Sequence, residues 1–392
     1  INKFIEKKYK LKLFDEKSMF NYNKNKNELY FNYFNKINNN YLDLENYHKY
    51  YNHYIINNEN INKKYFEFES NIKINIEKNK KNIITLCEWG YPPFGGGENW
   101  LLNINKLFFE MGYQPFMICF SDGFNNKPFE EFNYIELDYL KIIQIPFDYF
   151  EIGKLIYLLD PLFINHQGIK RLEFMKLANI FEIPFFTGFC FWNNIIKQVH
   201  SNINILKNDD LKHDDSFKII TTNSFCYSAS EFVNDVIEKF FQKRLNVIPT
   251  ISLKDDYYID NIQDTYVSMV NCHHNKGGFL LKELIEHLDI KIPLLLVYTE
   301  YDHHIPLSEL KKLINNRNEK NNVNILFNEK KDIKEIYKKT KIMLIPSLCD
   351  ETFCRVAYEC KMNQIQVIST NSGNLKYLIK DYALILNDNI LL

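Results

Sequence analysis

The chain has 392 residues, a formal net charge of −1 and a pI near 6.9. That length predicts two domains, and the balanced charge excludes a general nucleic-acid binder, which carries a basic excess. No apolar stretch is long enough to span a membrane. The eight cysteines form no CxxC pair and read as reduced, buried small hydrophobes of a cytoplasmic protein.

Residues 1–80 are rich in Asn, Lys, Tyr and Ile. Recurring Tyr, Phe and Ile set this stretch apart from a plain disordered tail, so it reads as an N-terminal extension or the end of a preceding domain, with no chemistry of its own. From residue 81 the pattern alternates between β and α units. "NIITLCEW" (82–89) is a short apolar strand. "PPFGGGENW" (92–100) follows, a glycine turn opening a helix, which suits either a bare turn or an anion site built from backbone N–H groups. Trp100, Leu101, Ile104, Leu107, Phe108 and Met111 then share one helical stripe over 98–112, with Gly112 as the C-cap. "PFMICF" (115–120), "LFINHQG" (162–168), a helix at 169–181, "IPFFTGF" (183–189), "FKIITTNS" (217–224), an amphipathic segment at 228–244 and "NVIPT" (246–250) continue the succession. These units predict an α/β domain over 81–250, with a parallel sheet covered on both faces.

The polar stretch 251–264 reads as a linker. The pattern restarts with the strand "TYVSMV" (265–270), the loop "NCHHNKGG", a helix at 279–288, and the strands "IPLLLVYT" (292–299), "VNILF" (323–327), "KIMLIPS" (341–347) and "IQVIST" (365–370). This second α/β domain covers 265–392. Tandem domains of this kind bind ligand in the cleft between them.

The most informative stretch is 345–374, "IPSLCDETFCRVAYECKMNQIQVISTNSGN". A buried strand ends in a turn, and "CDETF" starts a helix with Asp350 or Thr352 as N-cap. Glu351 sits at the helix entrance and Glu359 about two turns on, roughly 12 Å further at ~1.5 Å per residue. That is wider than the ~5–9.5 Å of a glycosidase carboxylate pair. It suits two carboxylates holding different hydroxyls of one elongated ligand.

Pro346-Ser347, Glu351, Phe353, Glu359 and the following "QVIST…SG" resemble the E-x7-E signature of GT-B retaining glycosyltransferases, of the GT4-type group that uses nucleotide sugars. The resemblance runs from about 82 to 390 and includes the glycine loop, "NKGGFLLKELI" and "DIKEIYKKTKIMLIPS", in the family's order. It implies two Rossmann-like domains facing across a cleft, acceptor on the N-terminal one and donor on the C-terminal one. It also implies roles. Glu359 would bind the nucleotide ribose, and Glu351 the donor sugar, helped by the N–H groups of Thr352, Phe353 and Cys354. Lys276 would pair with the diphosphate and stabilise the leaving group. Gly96 and Gly97 would face the diphosphate or sugar across the cleft, and Phe327 would lie near the base. Among the histidines, His166 lies at a strand end facing the expected cleft, as a substrate contact or a hydrogen-bonded strand-end residue. His273 and His274 could assist phosphate binding, and His303 and His304 read as loop residues.

Several positions depart from the family pattern. Asn271 stands where many relatives have an Arg, so the diphosphate site lacks one positive charge. Phe189 or Cys190 stands where an acceptor-side His is common, and Asn374 and Tyr377 replace a Gly and a Glu. The expected activity is metal-independent transfer of a hexosyl unit, with retention, from a nucleotide sugar (UDP-sugar by analogy) to a hydroxyl of a glycan, protein or small-molecule acceptor. No cofactor beyond that co-substrate is expected. The alternative is a catalytically degenerate GT-B module that binds sugar nucleotide or glycan without transfer. The family's closing helices are missing before Leu392, so the C-terminal domain is expected to be truncated or to continue into further domains of a longer chain.

Overall fold

A computed structural model describes residues 65–67, 73–77, 79–93, 95–122, 127–168, 170–190, 215–250, 252–260, 263, 265–271, 276–278, 280–287, 292–297, 307–321, 325–328 and 332–386. Most of the N-terminal extension, together with His273, His274, His303 and His304, lies outside these residues. The chain divides into two compact units. The first holds the described residues up to Phe189 with 215–227 and 245–248. The second holds Cys190, residues 228–244 and those from Pro249 onward.

In the first unit a two-stranded antiparallel ribbon, β1 (Tyr65–Glu67) and β2 (Lys73–Asn75), precedes the main sheet. There follow β3 (Asn82–Trp89), α1 (Gly96–Glu110), β4 (Gln114–Ser121), β5 (Asn133–Leu137), β6 (Leu140–Gln144), α2 (Tyr149–Leu159), β7 (Ile164–His166), α3 (Arg171–Ile180), β8 (Phe185–Phe189), α4 (Asp215–Asn223), β9 (Phe225–Ser228) and β10 (Asn246–Val247). The sheet order is β10-β9-β8-β7-β3-β4-β6-β5. β3 pairs in parallel with both β4 and β7, while β5 is an antiparallel edge strand on β6. Buried along almost their whole length, β3 and β4 read as continuous apolar runs, as strands covered on both faces must. Trp100, Leu101, Ile104, Leu107 and Phe108 form the buried face of α1, as the helical spacing requires. Met111 is only partly buried and serves as the C-cap.

Residues 215–223 form a helix, although the run Ile-Ile-Thr-Thr suits a strand by propensity alone. Packing decides here: Ile220 is buried, and the strand is displaced to the next four residues, where Tyr227 enters the core.

The second unit contains α5 (Glu231–Phe241), α6 (Lys254–Tyr257), β11 (Tyr266–Val270), α7 (Leu280–His287), β12 (Leu294–Val297), α8 (Leu307–Asn321), β13 (Ile325–Asn328), α9 (Ile333–Lys339), β14 (Thr340–Ile345), α10 (Arg355–Met362), β15 (Gln366–Thr370), α11 (Leu375–Leu378) and β16 (Ala383–Leu386). Its six strands lie in the order β13-β12-β11-β14-β15-β16, all in parallel register. Tyr337, Met343, Ala357, Cys360, Val367 and Leu375 centre its core. α5 precedes the linker in sequence yet packs on this unit: Ser230 at its N-cap donates to the Thr352 carbonyl at 2.5 Å, and Tyr377 donates to Asp235. The stretch 252–263 is likewise fastened to the second unit. Asn363 accepts from the Ile259 amide at 2.8 Å and donates to the Tyr257 carbonyl at 3.0 Å, and the Gln263 amide donates to the Lys338 carbonyl at 2.6 Å.

Both sheets reverse their winding once. In the first, the chain leads from β3 to β4 on one side, and β7 is added on the other. In the second, it leads from β11 to β12, and β14 is added on the opposite side. The carboxyl ends of the strands flanking such a switch point are where open α/β sheets bind ligands.

Candidate active site

In the second unit the loops after β11 and β14 carry Lys276 and Glu351, one from each side of the switch point. Lys276 Nζ lies 2.5 Å from Glu351 Oε1, and Ser347 Oγ donates to the same oxygen at 2.6 Å. Glu351 is 7 % exposed, whereas the Lys276 side chain is 32 % exposed. Burial alone would push the Lys276 ammonium down, but the adjacent Glu351 carboxylate holds it well above its usual range, so it is a cation at any ordinary pH. Two glycines permit this arrangement. Gly277 has φ +86°, and a Cβ there would overlap the Pro346 carbonyl. Gly373 has φ +60°, and a Cβ there would overlap the Glu351 backbone. Asn374 completes the turn, its amide donating to the Glu351 carbonyl at 2.7 Å and its side chain to the Phe353 carbonyl at 3.1 Å.

The helix entrance differs from the sequence expectation. α10 begins at Arg355, with Cys354 as N-cap at φ +69°. Neither Asp350 nor Thr352 caps it, and Glu351 lies in the preceding turn rather than on the helix. The axial estimate of the Glu351–Glu359 separation therefore does not apply. The turn after β14 is pinned instead by Thr370 and Ser372, whose hydroxyls donate to the Ser347 carbonyl at 2.6 and 2.7 Å. These bonds delay the helix.

Glu359 is 4 % exposed and engaged on both oxygens. Ser252 Oγ donates to Oε1, Arg355 Nη2 lies 3.3 Å from Oε1, and the Tyr337 hydroxyl donates to Oε2 at 2.5 Å. Arg355 also donates to Ser252 Oγ at 2.8 Å and stacks over the Tyr257 ring at 5.1 Å. Burial raises the Glu359 pKa despite the Arg355, Ser252 and Tyr337 contacts that favour the carboxylate. Ser252 gave no signal in the sequence, because its partner lies 107 positions away; Tyr337 is 22 positions from Glu359, and Arg355, at the i,i+4 spacing, was the one contact a local pattern could have offered.

Asn271 directly follows β11 with φ +62°, a left-handed conformation that Asn adopts more readily than Arg. Phe327 lies in β13, its backbone in register with Leu296 of β12. Thr352 and Phe353 lie in the turn before α10, with Phe353 buried.

Gly96, Gly97 and His166 belong to the first unit. Gly96 is exposed and Gly97 buried in the first turn of α1. In that turn Glu98 accepts from the Gly95 amide at 2.8 Å, so a carboxylate of the chain already faces the helix N-terminus. His166 has no exposed surface. Its ring packs on Phe174 and Phe185, with Nδ1 3.4 Å from Thr187 Oγ1 and Nε2 3.5 Å from Glu88 Oε2. Among the described residues no group of three or more His, Cys, Asp or Glu side chains could hold a metal ion, and no helix is long and apolar enough to cross a membrane.

Two α/β units with parallel sheets, the second with a Lys–Glu pair at its switch point, define a fold of the GT-B glycosyltransferase class. Residues 257–389 match the family model described as glycosyl transferases group 1. No curated protein sequence matches the chain. Among solved structures, HepE of Anabaena in complex with UDP and glucose is similar at 15% identity and a TM-score of 0.55, over 78% of this chain and 85% of that one. The catalytic domain of starch synthase IV from Arabidopsis thaliana, bound to ADP and acarbose, is similar at 10% identity and a TM-score of 0.54, over 76% and 84%. A UDP-forming α,α-trehalose-phosphate synthase from Burkholderia vietnamiensis is similar at 8% identity and a TM-score of 0.51, over 79% and 86%. At these identities the likeness is one of fold.

Proposed function

We propose that the chain is a glycosyltransferase that moves a hexosyl unit from a UDP-sugar to a hydroxyl acceptor with retention of configuration and without a metal ion. The observation that carries this is the Lys276–Glu351 pair at the switch point of the second unit, inside the segment that matches glycosyl transferases group 1. The co-substrate class draws on the similar solved structures, of which HepE was captured with UDP and glucose.

The chemistry follows from the pair. An arriving diphosphate competes with Glu351 for the Lys276 ammonium, whose partly exposed stem leaves it free to turn. Lys276 then offsets the charge that grows on the leaving phosphate. Glu351, held by Ser347, accepts hydrogen bonds from the sugar hydroxyls, as an ionised carboxylate does. The amides of Thr352 and Phe353 offer further donors. Asn271 supplies no charge, so Lys276 carries the cationic role among the matched positions.

The test is a panel of nucleotide sugars, assayed for binding and for nucleotide release, with wild type beside Lys276→Ala and Glu351→Ala. Turnover of one donor, lost in both variants, is the expected result. No binding of any donor would overturn the assignment. Binding without turnover in wild type would favour the non-transferring module, the second reading that Asn271 motivates.

A further inference from the structure

Ser230 lies 122 positions before Thr352, yet both belong to the second unit and meet there. Its hydroxyl does two things. The oxygen accepts from the Val233 amide at 3.2 Å and so caps α5, and the proton goes to the Thr352 carbonyl at 2.5 Å. A hydroxyl has one proton to give, so that of Ser230 is committed to the turn that carries Glu351. Capping alone needs only an acceptor, which Asp supplies as well as Ser. Ser230 is buried, so the bond to Thr352 is shielded from solvent.

The carbonyls on either side are held in the same way. Asn374 donates its amide to the Glu351 carbonyl at 2.7 Å and its side chain to the Phe353 carbonyl at 3.1 Å. Three successive carbonyls, of Glu351, Thr352 and Phe353, are thus fixed by two residues from elsewhere in the unit. α5 braces the same region a second time: Asp235 accepts from Tyr377, and Lys376 Nζ lies 5.2 Å from the centre of the Phe232 ring. Both partners belong to α11, which Asn374 caps. Backbone carbonyls require donors, and the convergence of these donors on the one turn that presents Glu351 points to a role in the reaction.

We propose that Ser230 is a positioning residue for transfer: it fixes the Glu351 turn while Lys276 leaves that carboxylate for the donor diphosphate. The proposal rests on the transferase reading. Before a donor arrives, Lys276 and Ser347 both engage Glu351 Oε1. Once the ammonium turns to a diphosphate, the carboxylate loses one restraint, and the backbone bonds from Ser230 and Asn374 keep it in place. A carboxylate that must meet a particular sugar hydroxyl tolerates little error, since a displacement of ~1 Å can cost about a hundredfold in rate. Ser230 acts through the turn and not on the diphosphate, so its loss lowers kcat and leaves the affinity for UDP in place.

The experiment compares the full chain with Ser230→Gly and Ser230→Thr. Ser230 has an extended backbone that either residue adopts. Glycine is nearly as good an N-cap as serine, so it deletes the bond to Thr352 with little effect on α5, whereas threonine keeps the hydroxyl. Two readouts are taken: peptide-resolved hydrogen exchange over 348–354 without ligand, and kcat on the UDP-sugar that wild type turns over, beside the Kd of UDP. Ser230→Gly should speed exchange over 348–354 and lower kcat, each by about tenfold, the worth of one lost hydrogen bond, with the Kd of UDP unchanged. Ser230→Thr should recover most of both. Circular dichroism checks folding, and Ser230→Ala replaces Ser230→Gly if the glycine variant is unfolded. Unchanged exchange or unchanged kcat in the folded variant would overturn the proposal, because a helix cap alone predicts that result. An equal fall in UDP affinity would overturn it too, as a general loss of the site. If wild type turns over no donor, the transferase reading falls and the role in transfer with it, while the exchange result still decides whether Ser230 holds the turn.

Discussion

Glu359→Ala should destabilise the second unit strongly. The substitution removes the acceptor shared by Ser252, Tyr337 and Arg355, leaving a buried phenol and a largely buried guanidinium without their carboxylate. Removing one member of a buried ion pair costs about 3–5 kcal/mol. For a domain of this size each kcal/mol lowers Tm by ~2–4 °C, so a fall of roughly 6–20 °C is expected in a thermal melt. Tyr337→Phe removes one hydrogen bond to the same carboxylate, about 1.5–3 kcal/mol. The double variant should be less destabilised than the sum, with a coupling of about 0.5–3 kcal/mol. Calorimetry of the full chain measures all three. A Glu359→Ala loss below about 1 kcal/mol, or strict additivity with Tyr337→Phe, would refute the view that Glu359 clamps the 252–259 stretch to α10.

Three further expectations follow from the geometry. Lys276→Ala and Glu351→Ala should each lower kcat/KM for the donor, and the double variant should lose less than the product of the two, because each residue acts through the other; steady-state kinetics checks this. Gly277→Ala and Gly373→Ala should each destabilise by about 1–3 kcal/mol or more, since a side chain there meets both a left-handed backbone and an occupied site; denaturant titration is the readout. Glu98 has its pKa raised above 4.5 by burial. The folded state therefore holds that proton more tightly than the unfolded chain, and the group's contribution, full below pH 4.5, is lost as pH rises through the elevated value. Glu98→Gln should flatten this part of the stability–pH curve, and an unchanged slope would contradict it.

The βα alternation from residue 81 was legible in the sequence because strands covered on both faces become apolar runs and helices keep a 3.6-residue stripe. The 215–223 helix was not, since its β-branched run carries the propensity of a strand and only tertiary packing overrides it. At the site, Lys276 and Glu351 were legible as motif residues and do meet. The helix start was misplaced by two to four residues, because Ser347, Thr370, Ser372 and Asn374 hold the turn through contacts that no local pattern encodes. Asn374, a departure from the family pattern, proves to be one of the residues that shape the Glu351 turn. Glu88 was missed for a related reason: within "NIITLCEW" it looks like the polar end of a strand, and its partners lie 78 and 82 positions further on.

The two glutamates of the E-x7-E spacing have different physical tasks. Glu351 faces one partly exposed lysine that can exchange it for another anion. Glu359 is closed in by three donors of its own unit, and any ligand that reaches it must displace or share them. The first unit repeats the logic of Glu351 rather than that of Glu359. At its switch point a buried carboxylate again faces a basic side chain: Glu88 and His166 there, with Thr187 against the imidazole, and Glu351 and Lys276 in the second unit, with Ser347 donating to the carboxylate. The difference is charge. Lys276 is held as a cation by the carboxylate beside it, whereas burial lowers the pKa of His166 despite its own carboxylate neighbour, so similar pairs at the two switch points carry different charge.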